Sequence, residues 1–353
     1  MNRPPEYPSW LDMGEDPSPP AAPRTAPQQG SAAPHTPPPS PEPDALATDA
    51  VGSAALRRRA AQAPARGWRR ALFRASGGTL NLGDSPADAR RARLVHAVRR
   101  PVRDDYRIAV LSLKGGVGKT TTTIGLGATL ASTRGDRVIA VDANPDLGTL
   151  AQRVPQQTSS TVRDLIATGP AARYSDVRAH TSQAPSRLEV LSSERDPARV
   201  GTFGAGDYHR AMEILRRHYN ILLTDCGTGM SNSVMTGVLD HADALIVVTS
   251  PAIDGARSAA ATLDWLSAHG HRELAASAVV VVCAARSSAC VDVDRLAEYF
   301  RSRTRAVHQV PFDAHLAEGA EVDLDRLHSR TAAAFLELAA TVADGFADTA
   351  RRA

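Results

Sequence analysis

Two lysines stand five residues apart in the stretch Leu113-Lys114-Gly115-Gly116-Val117-Gly118-Lys119-Thr120-Thr121. The residue types around them suit one chemistry, the binding of a phosphate chain. Glycines at 115, 116 and 118 let backbone N–H groups close on phosphate oxygens, where a side chain would stand in the way. Lys119 is spaced to reach β- and γ-phosphates, and the Thr120 hydroxyl to ligate Mg²⁺. The stretch departs from the usual G-x-x-x-x-G-K-[ST] pattern at one point: the first glycine would fall at Leu113, and a lysine follows it. Lysine occurs nowhere else in the chain, so all the rest of the 41 basic residues are arginine. A compact ammonium on a flexible stem enters a crowded phosphate site that a planar guanidinium does not. Both lysines are therefore expected to touch phosphate.

Carboxylates follow at the spacing a metal site needs. Asp225 closes the apolar run of Ile-Leu-Leu-Thr-Asp, the arrangement that holds Mg²⁺ through water in phosphate-binding proteins. Gly227 and Gly229 behind it allow a loop to close on a γ-phosphate and to relax without one. Asp142, Asn144 and Asp146 follow a second apolar run. Asp142 serves either the metal or an attacking water, while a polar turn at Asn144-Pro145 is the structural alternative.

These groups need a scaffold that brings strand ends together. Apolar runs of strand length recur at 107–113, 137–143, 188–193, 219–225, 244–250, 278–285 and 306–311, with helical patterns at 120–133, 207–218, 254–269 and 292–303. Continuous apolar runs, in place of alternating ones, indicate strands covered on both faces. With helices between them they predict an α/β fold with a doubly wound, mostly parallel sheet. Ligands in such folds bind beyond the carboxyl ends of the strands, where all the groups above fall. A last helix over 329–346 carries Phe335, Leu338, Val342 and Phe346 at helical spacing, a stripe expected to pack in the core.

The rest of the chain differs in composition. Fourteen of the 24 prolines lie in residues 1–43, so 1–50 is expected to be a disordered tail unable to bury enough apolar surface to fold. Residues 51–104 form an arginine-rich arm, with thirteen arginines against two acids in 51–103. No apolar run is long enough to span a membrane and the start lacks a signal-peptide pattern, which predicts a cytoplasmic protein. Cys226, Cys283 and Cys290 lack metal-site or disulfide spacing and are expected to be buried, reduced thiols.

Lys114 through Thr121, with Asp142, Asp225-x-x-x-Gly229 and the segment Ala-Asp-Ala-Leu-Ile-Val-Val-Thr-Ser-Pro (242–251), resembles the MinD/ParA family of P-loop ATPases with a deviant Walker A motif. The likeness covers about 105–345, within an ATPase domain drawn as 105–350. The segments GWRRALFRASGG, DYRIAVLSLKGGVGKTTTT, VDANPDLGTL and VPFDAHLAEGAEVDLDRL further resemble the MinD/ParA-like ATPases associated with type VII (ESX) secretion.

The resemblance implies ATP and Mg²⁺ as cofactors. Gly115, Gly116, Val117, Gly118, Lys119, Thr120 and Thr121 would cradle the phosphates, with Gly229 beside them and Thr120, Asp142 and Asp225 serving the metal. Two subunits would sandwich two ATP molecules, with Lys114 reaching the partner's nucleotide, Lys119 acting within its own subunit and Gly115 at the crowded interface. Asn144 stands where many relatives carry a second aspartate that orients the attacking water, which implies slow hydrolysis or substitution by Asp146. Cys283 replaces a polar residue that reads adenine, leaving Pro311, Phe312 and Asp313 for that task.

The implied partners are a second copy of the chain and a protein, such as a secretion component, recruited by the tail, where Tyr7, Trp10 and Leu11 stand out. DNA or an anionic membrane at the inner face of the plasma membrane is the other candidate. It would be met by the 57–74 arm, where Trp68, Ala71, Leu72 and Ala75 share a helical face, or by Arg301, Arg303 and Arg305.

Overall fold

Every expected apolar run forms a strand. In chain order these are β1 (Tyr106–Leu111), β2 (Val138–Ala143), β3 (Ser182–Gln183), β4 (Glu189–Leu191), β5 (Ile221–Cys226), β6 (Ala244–Thr249), β7 (Val279–Cys283) and β8 (Ala306–Val310). Only the two-residue β3 has no counterpart among the runs, being too short and polar to signal itself. The computed structural model describes residues 67–144, 148–170, 173–194, 203–230, 232–284 and 291–351. The proline-rich tail, the arm before residue 67, Asp146 and Cys290 lie outside these residues.

The strands form one sheet in the order β3-β4-β2-β5-β1-β6-β7-β8. Among the described residues only the β3–β4 pair is antiparallel, and the remaining neighbours run parallel. The helices of nine residues or more among the described residues are α1 (Gly67–Ala75), α2 (Pro86–Val98), α3 (Lys119–Thr133), α4 (Ala205–Leu215), α5 (Ser233–His241), α6 (Ile253–Ala268), α7 (Val293–Arg301) and α8 (Ser329–Ala343). None is long and apolar enough to cross a membrane.

Successive strand residues point to opposite faces, and both faces are covered. Ile108, Val110, Ile246 and Val281 pack on one side with Ile124 and Leu130 of α3 and Phe335 and Leu338 of α8. Leu111, Leu222, Val247 and Val280 pack on the other with Tyr208 and Met212 of α4, Val238 of α5, Leu266 of α6 and Phe300 of α7. Each fully buried Val, Leu or Phe contributes about 1.5–3 kcal/mol, so continuous apolar runs are favoured only in this two-sided setting.

The stripe at Phe335, Leu338, Val342 and Phe346 is fully buried, as its spacing predicts. The α-helix nevertheless stops at Ala343, and Phe346 lies on a 3₁₀ stretch. The arginine-rich arm is not uniformly loose. Ser85 caps α2 by accepting from the Asp88 N–H, and Pro86 begins the helix. Leu94, Val95 and Val98 then pack against the α3–α8 core, so residues 86–98 belong to the folded body.

Register brings the expected groups to one edge. Val110 pairs with Asp225 and Asp142 pairs with Asp225. The glycine loop leaves β1 one residue after Val110's neighbour Leu111, and α3 starts at Lys119. Because β1 has β5 on one side and β6 on the other, the loop stands where chain connections diverge to opposite sides of the sheet, the usual crevice for a ligand.

Candidate functional site

The loop between β1 and α3 turns on two residues with positive φ, Gly116 at 76° and Gly118 at 97°. At Gly118 a side chain is disfavoured twice, by the positive φ and because its Cβ would press on the Cys283 Sγ at 3.0 Å. Beside the loop is a cavity of about 280 Å³. Gly116, Val117 and Gly118 line it from the loop, Thr121 from the start of α3, and Cys283, Pro311, Phe312 and Asp313 from the ends of β7 and β8.

Sequence reasoning missed Ser250, Leu316 and Ala317, which also line the cavity and are too small or plain to signal a role. Burial pushes the Cys283 thiol up to about 11 against the lowering effect of the Thr122 hydroxyl, which lies 3.4 Å away. Cys283 is thus a neutral wall. Asp313 accepts from the backbone N–H groups of His315 and His328, so its carboxylate holds that wall in shape.

Asp225 gathers three donors. Lys119 Nζ lies 2.8 Å from its Oδ1, Thr120 Oγ1 donates to Oδ2 at 2.7 Å, and Thr123 Oγ1 lies 3.4 Å from Oδ1. Positions 119, 120 and 123 share one face of the first turn of α3, so helical spacing was the available signal for Thr123. The Asp225 side chain is 3 % exposed and that of Lys119 12 %, so water screens this pair little.

Asp142, one strand over, has each oxygen engaged by the backbone: Asn144 N–H donates to Oδ1 at 3.1 Å and Leu150 N–H to Oδ2 at 3.1 Å. It ties the loop after β2 to the strand end. The loop also closes over it at Gly148, where a Cβ would stand 2.0 Å from the carboxylate. Nothing local in the sequence marks this requirement, because the contact depends on how the loop folds back.

Burial, then the neighbouring Asp225 charge, pushes the Asp142 carboxyl up to about 7 from its usual 3.8. A carboxyl raised on folding favours the native state while it holds its proton. That contribution is complete below the unfolded value and is lost as pH rises through the folded one. The nucleotide-free protein should therefore lose thermal stability between about pH 4 and about pH 7 through this group. Asp142→Asn should flatten the slope. Thermal unfolding of both proteins across that range, without nucleotide or Mg²⁺, checks this, and parallel curves would contradict it.

Lys114 is not gathered into this cluster. Its ammonium pairs with Asp254 at the start of α6, a partner 140 residues away that spacing does not reveal. That hydrogen bond, and one from the Gly255 N–H, holds the Asp254 carboxyl below its usual value. Gly115 has open space around it, and Gly229 lies exposed on the loop after β5. Asn144 is partly buried, next to the loop. Of the distant arginines, Arg303 is held by Asp264 and the Tyr299 hydroxyl, and Arg305 donates to the Thr341 carbonyl. Arg301 is exposed.

These residues fit a magnesium nucleotide. The glycine loop and α3 N-terminus present N–H donors to phosphate, Lys119 supplies an in-site cation, and Thr120 with Asp225 forms the all-oxygen donor set a hard cation takes. The cavity walled by Cys283, Pro311 and Phe312 is apolar enough for a base. The metal, when bound, would neutralise phosphate charge.

Comparison with known proteins agrees with this arrangement. Residues 108–348 match the CobQ/CobB/MinD/ParA nucleotide binding domain. The ESX-1 secretion-associated protein EspI of Mycobacterium tuberculosis is 40 % identical over 293 residues, which are 81 % of this chain and 43 % of EspI. The chain thus spans less than half the length of that relative. A ParA family ATPase of Chlorobium tepidum superposes with a TM-score of 0.58 at 18 % identity, covering 67 % of this chain and 98 % of that one. The septum site-determining protein MinD of Pyrococcus horikoshii, complexed with Mg-ADP, superposes with a TM-score of 0.53 at 21 % identity, covering 67 % and 94 %. With the phosphate loop, the paired strand-end aspartates and the match over 108–348 in agreement, the chain belongs to the CobQ/CobB/MinD/ParA family of nucleotide-binding domains.

Proposed function

We propose that this chain is a Mg·ATP-dependent switch ATPase that dimerises on ATP and whose nucleotide state controls a protein partner. The observation that carries this is the division of labour between the two lysines. Lys119 is built into the Asp225 cluster, whereas Lys114 stands outside it on an exposed pairing with Asp254, available to another subunit's nucleotide. Lys119 holds phosphate charge, Thr120 and Asp225 position the metal, and Asp142 fixes the loop that carries Asn144.

The cellular role favoured is regulation of type VII secretion from the cytoplasmic side, supported by the 40 % identity to EspI, with the tail as recruiting arm. A partitioning or division-site role on DNA or membrane is the alternative. It has less support at 301–305, because Arg303 and Arg305 are engaged within the fold.

Single-turnover phosphate release from Mg·ATP by the full chain tests the activity. No release over many hours would leave an ATP-binding regulator without turnover. Hydrolysis is expected to be slow, because an amide at Asn144 orients water without accepting its proton. Asn144→Asp should raise the rate about tenfold or more, since a fully acting general base contributes about 10²–10⁴-fold. Equal rates would mean that water orientation at this position does not limit turnover.

A further inference from the structure

Arg153 ends a 3₁₀ turn, Leu150–Arg153, that begins where Leu150 N–H ties to Asp142. Two guanidinium nitrogens, Nε and Nη1, are shielded from water and have no hydrogen-bond partner among the described residues. A guanidinium does not shed its charge, and buried donors in native proteins are almost always paired. The obvious acceptors are already taken. Asp225, close enough for its charge to act on Arg153, is occupied by Lys119, Thr120 and Thr123. Asp142 is occupied by two backbone N–H groups.

The Arg153 backbone is tied down, and its side chain reaches Gly319. The Arg153 carbonyl accepts from Val322 N–H at 2.9 Å, and Nη1 would be 3.6 Å from a Cβ on Gly319. Gly319 follows by two residues the short helix Ala314–Ala317, whose Leu316 and Ala317 line the cavity beside Gly118 and Thr121. Two unpaired guanidinium donors therefore lie near Gly319 and within the electrostatic reach of Asp225.

We propose that Arg153 is a second in-site cation for the phosphate chain of a bound nucleoside di- or triphosphate. This rests on the nucleotide-binding reading above. A guanidinium makes strong charge-assisted hydrogen bonds to phosphate oxygens, and oxygens of a phosphate chain passing along it would satisfy Nε and Nη1 separately. It would also couple nucleotide to the segment 318–322 and to the loop tied down by Asp142.

The test uses the full chain with Arg153→Gln and Arg153→Lys. ADP and ATP affinities are measured by calorimetry with Mg²⁺, and thermal unfolding is followed without nucleotide. Losing charge-assisted hydrogen bonds should weaken ADP and ATP binding by about tenfold or more in Arg153→Gln, with partial recovery in Arg153→Lys. Without nucleotide, Arg153→Gln should melt at the wild-type temperature or above it, because an unpaired, desolvated cation has been removed. A lower melting temperature in that variant would show a structural role and overturn the proposal. So would unchanged ADP and ATP affinity, or normal affinity with failed dimerisation, which would put the acceptor on another subunit. If Lys119→Ala abolishes binding while Arg153→Gln binds normally, only this inference falls. If the wild type binds neither nucleotide, the site assignment falls with it.

Discussion

Lys119→Ala is expected to abolish measurable ATP and ADP binding. Among the described residues Lys119 is the cation that touches the carboxylate cluster, at 2.8 Å from Asp225, and its side chain is mostly withdrawn from water. Asp225 has Asp142 as its register partner on the adjacent strand, so removing the ammonium leaves the Asp225 charge facing an incoming polyphosphate. The phosphate chain also loses charge-assisted hydrogen bonds of about 1.5–3 kcal/mol each, and with the added repulsion affinity should fall by roughly a hundredfold or more. Breaking a buried pair from one side also leaves an uncompensated charge, so the variant should melt lower without nucleotide. Isothermal calorimetry with Mg·ATP and Mg·ADP measures the first effect, and unchanged affinity would remove the phosphate-site assignment.

Lys114→Ala is expected to behave in the opposite way: near-normal nucleotide binding, but no ATP-dependent dimer. Nothing in the Asp225 cluster involves Lys114, and the pairing it loses, to Asp254, is solvent-exposed and contributes little to the fold. In a two-fold dimer, by contrast, each Lys114 would meet the partner's triphosphate across a partly dry interface. Truncating one charged partner there typically costs about 2–5 kcal/mol, and symmetry applies the loss twice. A dimer of micromolar affinity would not survive it. Light scattering with ATP and Mg²⁺, alongside a separate measurement of nucleotide occupancy, distinguishes the outcomes. If Lys114→Ala binds ATP and still dimerises, this lysine does not act across subunits.

The sequence by itself determined the groups whose chemistry depends on near neighbours in the chain. The glycine loop, Lys119 and Thr120 were legible because a phosphate cradle is built from consecutive residues between a strand and a helix. Asp142 and Asp225 were legible because strands covered on both faces must be continuously apolar, so a carboxylate at their end stands out. The same constraint made the seven runs readable as strands.

Only the tertiary structure decided what depends on contacts between distant segments. The near-neutral pKa of Asp142 arises from burial and from Asp225, brought beside it by β2–β5 register. The need for glycine at 148 arises from a loop folding back onto that carboxylate. Pairing of Lys114 with Asp254, packing of 86–98 into the core and the unpartnered nitrogens of Arg153 are likewise invisible in residue spacing. Their energetics come from desolvation and close approach, which local periodicity does not encode.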